Sequence, residues 1–375
     1  MDTLINTELR GVDKSSRSHS PPPHFAIRPN KRTRITLPSF KRLWTRKLAS
    51  SVNCLIVGAL PSERSSKAVI KETSHIIVGT NEGKIFMFGE DKEGIMMETK
   101  SGPIQSIVLC DITGFGIPDI IVGDSYGSVM IFEKQQLVVK RELGAAVKHM
   151  TMFRDAVNGH ELVIGDSAGV LSALTLYQDG MSFDPSIRCM LHVTLLDQFQ
   201  IPTKFLLVCD RSPYVHLIQS GIRTLSIIVP SSSIANAMCS GYFRRKDIFD
   251  PEVVNIRYDM PSAVQVVLGC EDGNIYIMED YTIHNMLKMD NPITDVKRFR
   301  PHNLESTETD FLVCIGHFNE VRIFKDCEPL RSIITDDLVS AIDIGDANND
   351  GRPELIIGML NNTIEVYGYD DENDA

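Results

Sequence analysis

Residues 119–132 read DIIVGDSYGSVMIF: an apolar run, a Gly, a short polar turn and a second apolar run. Six further segments repeat that grammar: HIIVGTNEGKIFMF, ELVIGDSAGVLSAL, FLLVCDRSPYVHLI, VVLGCEDGNIYIM, FLVCIGHFNEVRIF and ELIIGMLNNTIEVY. The residue closing each first run is Gly79, Gly123, Gly165, Cys209, Gly269, Ile315 and Gly358, at spacings of 44, 42, 44, 60, 46 and 43 residues. Short runs rich in Ile, Val, Phe and Tyr and bounded by Gly, Asn, Asp or Ser are strands, too brief for helices. Strand pairs recurring at roughly 40–50 residues are what β-propeller blades look like. The expected fold is all-β, a seven-bladed β-propeller of four-stranded antiparallel blades. Ordinary hairpins of a β-sandwich are the alternative, but a sandwich gives no reason for sevenfold repetition.

Four residues past each anchor stand Gly83, Gly127, Gly169, Pro213, Gly273, Asn319 and Asn362. Gly and Asn tolerate positive φ, so six of the seven units are expected to share one tight hairpin turn, with the Pro213 unit the exception. The last unit ends at Tyr367 without an outer strand, and a propeller must tie its first and last blades. Outer-strand segments follow the hairpin in units 1, 2 and 6 (95–99, 137–143 and 330–335), and residues 40–48, FKRLWTRKL, lie just before the first unit. They are predicted to complete blade 7, with Trp44 packing between blades.

The chain has 375 residues, 43% hydrophobic and 23% charged, enough for one large core. The predicted organisation is a disordered, basic, Ser/Pro-rich tail over 1–38, the propeller over 39–369 and an acidic tail over 370–375. Residues 1–50 hold eleven Lys and Arg against three acids, so the remainder carries about −19 of the net −11. An acidic body repels phosphate, which argues against specific nucleic-acid binding. The basic run 28–34 is a candidate import or anionic-surface motif, and Ser20-Pro21 a candidate phosphorylation site. No apolar leader opens the sequence and no stretch is long enough for a transmembrane span, so a cytoplasmic protein is expected. Eight cysteines without a CxxC pair read as buried free thiols.

Before the last hairpin runs Asp346-Ala-Asn348-Asn-Asp350-Gly351-Arg352-Pro-Glu354, or D-x-N-x-D-G-x-x-E. Oxygens of Asp346, Asn348 and Asp350, the Arg352 carbonyl and Glu354 form a candidate site for one hard cation, with Gly351 at the bend. The alternative is that Asp and Asn here cap their own backbone. In this motif and in the repeat grammar the chain resembles the FG-GAP repeats of integrin-α-type β-propellers. That resemblance implies calcium as the cation and those five residues as its ligands. In unit 2 the pattern decays to Asp111, Thr113, Phe115, Gly116 and Asp119, where Phe115 replaces an oxygen ligand. Inner-strand segments such as SVNCLIV and SAIDIGD are similar to intracellular members, the Bardet-Biedl syndrome propellers and the FG-GAP and kaptin scaffold subunits. That likeness implies a non-catalytic subunit of a trafficking or signalling assembly whose partners are other protein subunits, with peripheral membrane association only through the complex.

Connections between first and second strands vary most, at 59–74, 242–262 and 299–309. The second carries Arg244, Arg245, Phe249 and Tyr258, residue types suited to a protein contact. Ten scattered His residues form no HxxxH or HExxH spacing, and there is no GxSxG elbow or phosphate-binding loop, so no enzyme is expected. A propeller enzyme with a central-channel active site, and a calcium-dependent adhesion propeller, are the competing readings. No unit ends in the Trp-Asp dipeptide of WD40 repeats.

Overall fold

The computed structural model describes residues 39–61, 72–89, 94–114, 116–155, 159–173, 181–182, 186–197, 199–244, 264–304 and 308–370. The expected basic tail, residues 371–375 of the expected acidic tail, the basic run and Ser20 lie outside these residues. Among the described residues stand seven four-stranded antiparallel sheets. Strands are numbered in chain order from β1 (Ser39–Lys47). Blade 1 is β2 (Val52–Pro61), β3 (Glu72–Thr80), β4 (Lys84–Phe88) and β5 (Gly94–Glu98); blade 2 is β6 (Ile104–Cys110), β7 (Asp119–Asp124), β8 (Ser128–Glu133) and β9 (Gln136–Glu142). Blade 3 is β10 (Val147–Asp155), β11 (Gly159–Asp166), β12 (Val170–Ala173) and a two-residue β13 (Met181–Ser182). Blade 4 is β14 (Cys189–Leu196), β15 (Pro202–Cys209), β16 (Tyr214–Gln219) and β17 (Ile222–Ile228); blade 5 is β18 (Ala235–Gly241), β19 (Gln265–Cys270), β20 (Asn274–Glu279) and β21 (Thr282–Lys288). Blade 6 is β22 (Ile293–Phe299), β23 (Phe311–Gly316), β24 (Phe318–Lys325) and β25 (Glu328–Ile334). Blade 7 takes β26 (Val339–Gly345), β27 (Glu354–Met359) and β28 (Thr363–Asp370) from the end of the chain and β1 from its beginning.

The inner strand of each blade touches those of both neighbours, and β26 meets β2, so the ring is closed. Burial follows radius. Second strands β7, β19, β23 and β27 are buried at every position, because both their faces press on adjacent blades. Outer strand β9 is exposed at every position, beyond the reach of its neighbours.

The repeating glycine has a packing cause. A Cβ on Gly79 would stand 2.5 Å from Ile104, and one on Gly358 would stand 2.4 Å from Val52; each of these partners opens the next blade. The anchor is thus where one blade's first inner residue presses onto its neighbour's second strand, and Gly358 against Val52 is that contact at the closure. Six inner strands also share an irregularity after their first residue, as between Val52 and Cys54 or Val339 and Ala341. In three of them the bulged residue is turned out of the ladder and reaches the next blade. Asn53 Nδ2 donates to the Ile104 carbonyl at 3.0 Å, Asn236 Nδ2 to that of Ile293 at 2.9 Å, and Ser340 Oγ to that of Val52 at 2.7 Å.

The predicted seal is present. β1 pairs antiparallel with β28 from Ser39 opposite Asp370 to Lys47 opposite Thr363. Phe40 joins the rings of Phe299 (5.5 Å) and Tyr369 (5.7 Å), while Trp44 faces Phe88 of blade 1 at 6.0 Å, between blades as expected. Arg42 bonds the buried Glu365 at 2.6 Å, and Glu365 also accepts the Tyr367 hydroxyl. One turn expectation is corrected. Gly83, Gly127, Gly169, Gly273 and Asn362 adopt positive φ, but Asn319 does not, because blade 6 turns earlier, pairing Gly316 directly with Phe318 after an irregularity at Cys314.

Candidate functional site

Every inner strand runs the same way along the channel, so all connections from first to second strand leave on one side of the ring. The Asp346–Glu354 loop is one of them. Asp346 Oδ1 accepts the Asp350 N–H at 3.1 Å and its Oδ2 the Gly351 N–H at 2.9 Å. Asn348 Oδ1 accepts the Asp350 N–H, Asp350 Oδ1 the Arg352 N–H, and Glu354 Oε2 the Ala347 N–H at 2.7 Å. Glu354 is buried, which pushes its carboxyl up to about 7, helped by the charges of Asp350 and Asp346 and opposed by the Ala347 and Asn348 N–H groups. The five sequence-predicted ligands therefore share one loop, and the side-chain oxygens of Asp346, Asn348, Asp350 and Glu354 are turned onto its own backbone. Among the described residues no three His, Cys, Asp or Glu side chains gather to hold an ion.

The degenerate unit 2 loop closes the same way. Asp111 accepts the N–H groups of Gly114 and Gly116, both at 2.7 Å, and Asp119 those of Ile112 and Thr113. Position 1 to position 6, and last acid to position 2, are the same bonds in both loops. Phe115 lies outside the described residues.

Of the four insertion residues proposed from sequence, Arg244 is placed: its N–H and C=O both bond the Gln265 side chain, at 3.0 and 2.8 Å, fastening the start of the insertion to β19. Arg245, Phe249 and Tyr258 lie outside the described residues.

Inside the channel the inner strands bring together groups that sequence spacing left apart. Lys297 Nζ stands 3.5 Å from Asp343 Oδ1, whose Oδ2 accepts the Val57 N–H at 2.8 Å. Burial opposes the Lys297 charge, but Asp295 and Asp343 outweigh it and hold its pKa above the ordinary value. His149 faces this group; burial, aided by the Lys297 charge, pulls its pKa down to about 4, and its Nδ1 is buried without a partner among the described residues. The cysteines are free, five of them buried, and burial pushes the Cys54 thiol up to about 12.

The outer rim carries exposed apolar side chains. Leu137, Val138 and Val139 on β9 are 50%, 50% and 43% exposed, and Ile222 on β17 is 67% exposed. The sequence places the expected partner surface in the long connections, and these outer strands are not part of it. Their signal was present as an apolar triplet followed by Lys-Arg in a segment recognised only as an outer strand.

No family model matches the chain, and no curated protein matches it in sequence. Solved structures share its fold. A crystal structure of BBS1N in complex with ARL6DN, soaked with mercury, superposes with a TM-score of 0.65 at 12% identity, covering 89% of this chain and 97% of that one. The WD40 β-propeller domain of Doa1 gives 0.59 at 10% identity, covering 90% and 98%.

Proposed function

We propose that this propeller is a non-catalytic docking subunit of a cytoplasmic trafficking or signalling complex, built on an FG-GAP-type repeat. The observation that carries this reading is the exposed apolar triplet of β9. A strand with three consecutive apolar residues in water, flanked by Lys140 and Arg141, is unfavourable for an isolated protein and suited to a partner that covers it. The BBS1N neighbour was crystallised with a protein partner, which agrees with the reading while the likeness itself speaks to fold. Arg244, Arg245, Phe249 and Tyr258 are proposed as a second contact on the connection side of the ring.

The test is affinity purification of the full chain from its native cell with quantitative mass spectrometry, wild type beside Leu137→Ser with Val139→Ser. Loss of specific co-purifying subunits in the variant at normal abundance supports docking through blade 2. An unchanged partner set rejects that surface, and the absence of any stoichiometric partner from wild type rejects the docking role.

A further inference from the structure

A second feature lies on the connection side of the ring, a cavity of about 330 Å³ walled by β14, the end of β18 and the end of β22. Asp310, just ahead of β23 and 1% exposed, organises it. Its Oδ2 stands 2.8 Å from Arg298 Nε in an ion pair and accepts the Tyr242 N–H at 2.7 Å, and its Oδ1 accepts Arg300 Nη1 at 2.7 Å. Arg300 also donates to the Glu308 carbonyl. One carboxylate thus faces two guanidinium groups. A Cβ on Gly241 would stand 2.8 Å from Asp310 Oδ2 and 3.0 Å from Arg298 Cδ, so only glycine lets this pair lie against β18.

The donors that remain point to a ligand. Arg298 meets Asp310 through Nε, its side chain is 45% exposed, and the residue lines the cavity. Ser240 and the exposed Thr194 add hydroxyls to the lining. His192 Nε2, buried and without a partner among the described residues, belongs to the same wall. A planar guanidinium edge flanked by hydroxyls matches a two-oxygen anion. Arg298 is the more exposed of the two cations, at 45% against 26%, and one guanidinium suits a monoanion.

We propose that this cavity is a carboxylate-binding site in which the Arg298 Nη edge, with Thr194 and Ser240, receives one monoanionic carboxylate. Its source is either a free small organic acid or an acidic side chain of a bound polypeptide. The free-acid arm is independent of the docking role, so failure of one leaves the other standing.

The test uses the full chain carrying labelled arginine and follows the Arg298 and Arg300 Nε–H resonances. The probes are sodium propionate, sodium phosphate at equal ionic strength, and acetyl-Gly-Glu-Gly-amide beside its Gln counterpart. Saturable shifts with a millimolar-range Kd are expected from propionate or from the Glu peptide, on the order of −4 kcal/mol. Response to propionate assigns a free-acid site; response to the Glu peptide alone assigns a polypeptide carboxylate. In Arg298→Gln the affinity should fall at least about tenfold, equivalent to about 1.4 kcal/mol. Thr194→Glu leaves the Arg–Asp310 group intact while placing a competing carboxylate at the exposed wall, and should weaken binding as strongly. Phosphate binding tighter than propionate, no saturable shift from any probe, or equal affinity in Thr194→Glu would each overturn the proposal.

Discussion

Replacing Phe40 with Ala tests whether the borrowed strand is what closes the ring. Phe40 is 8% exposed and packs on Phe299 and Tyr369, which belong to blades 6 and 7. A buried Phe ring removes roughly 150–250 Å² from water, about 4–6 kcal/mol at 25 cal/mol/Å², and measured Phe→Ala losses in cores run about 3–5 kcal/mol. Phe40 sits on an outer strand, where the cavity can partly collapse, so the expected loss is about 3 kcal/mol. Lys41→Ala, on the exposed side of the same strand, is the control and should stay within about 0.5 kcal/mol. Urea unfolding of the full chain, followed by intrinsic fluorescence and far-ultraviolet circular dichroism together, measures both. If Phe40→Ala costs less than about 1 kcal/mol, or no more than Lys41→Ala, the β1 seal does not contribute as argued.

Gly358→Ala should destabilise by about 1–3 kcal/mol, since the new Cβ enters the Val52 contact at the closure; matched urea curves check it. Ser340→Ala removes the hydroxyl donated to the Val52 carbonyl and should cost about 1 kcal/mol in the same assay. His149 binds its proton less readily folded, near 4, than unfolded, near 6.5. Its contribution is therefore fully present above pH 6.5 and lost as pH falls toward 4, with Lys297, itself held by Asp295 and Asp343, the charged group acting on it. Stability measured from pH 7 to pH 4 should drop by about 1–3 kcal/mol more in wild type than in His149→Gln, and parallel curves would remove His149 from the acid response. Calcium titration of the full chain should give no saturable heat at micromolar concentrations, because the Asp346 and Asp350 oxygens are committed to backbone N–H groups; saturable binding abolished by Asp350→Ala would show that the loop rearranges.

Much of the ring was legible because its grammar is local. The anchors and turns recur in sequence, and an outer strand missing at one end could be sought at the other. What each anchor glycine does was not legible, since its partner, Ile104 for Gly79 or Val52 for Gly358, belongs to another blade. The same distance hides the bulge residues: Asn53, Asn236 and Ser340 look like ordinary polar positions until the neighbouring carbonyl is in place. Asn319 misled because Asn permits positive φ without requiring it, and the chain had already turned at His317, between the paired Gly316 and Phe318. The Asp346 motif was read from residue types that serve equally as cation ligands and as caps for their own backbone. The Arg298–Asp310–Arg300 group was invisible because its members flank a long connection and converge only when β22 pairs with β23.

The central claim is a ring sealed by the two ends of the chain, and a cross-strand disulfide tests it most directly. Lys47 and Thr363 are register partners next to the Leu48–Asn362 backbone bond, at a site where paired Cα atoms lie close enough to bridge. Lys47→Cys with Thr363→Cys in the full chain, mildly oxidised under native conditions and mapped by peptide mass spectrometry, should yield the 47–363 disulfide nearly quantitatively. Thiols that stay reduced in the folded protein would contradict the closure.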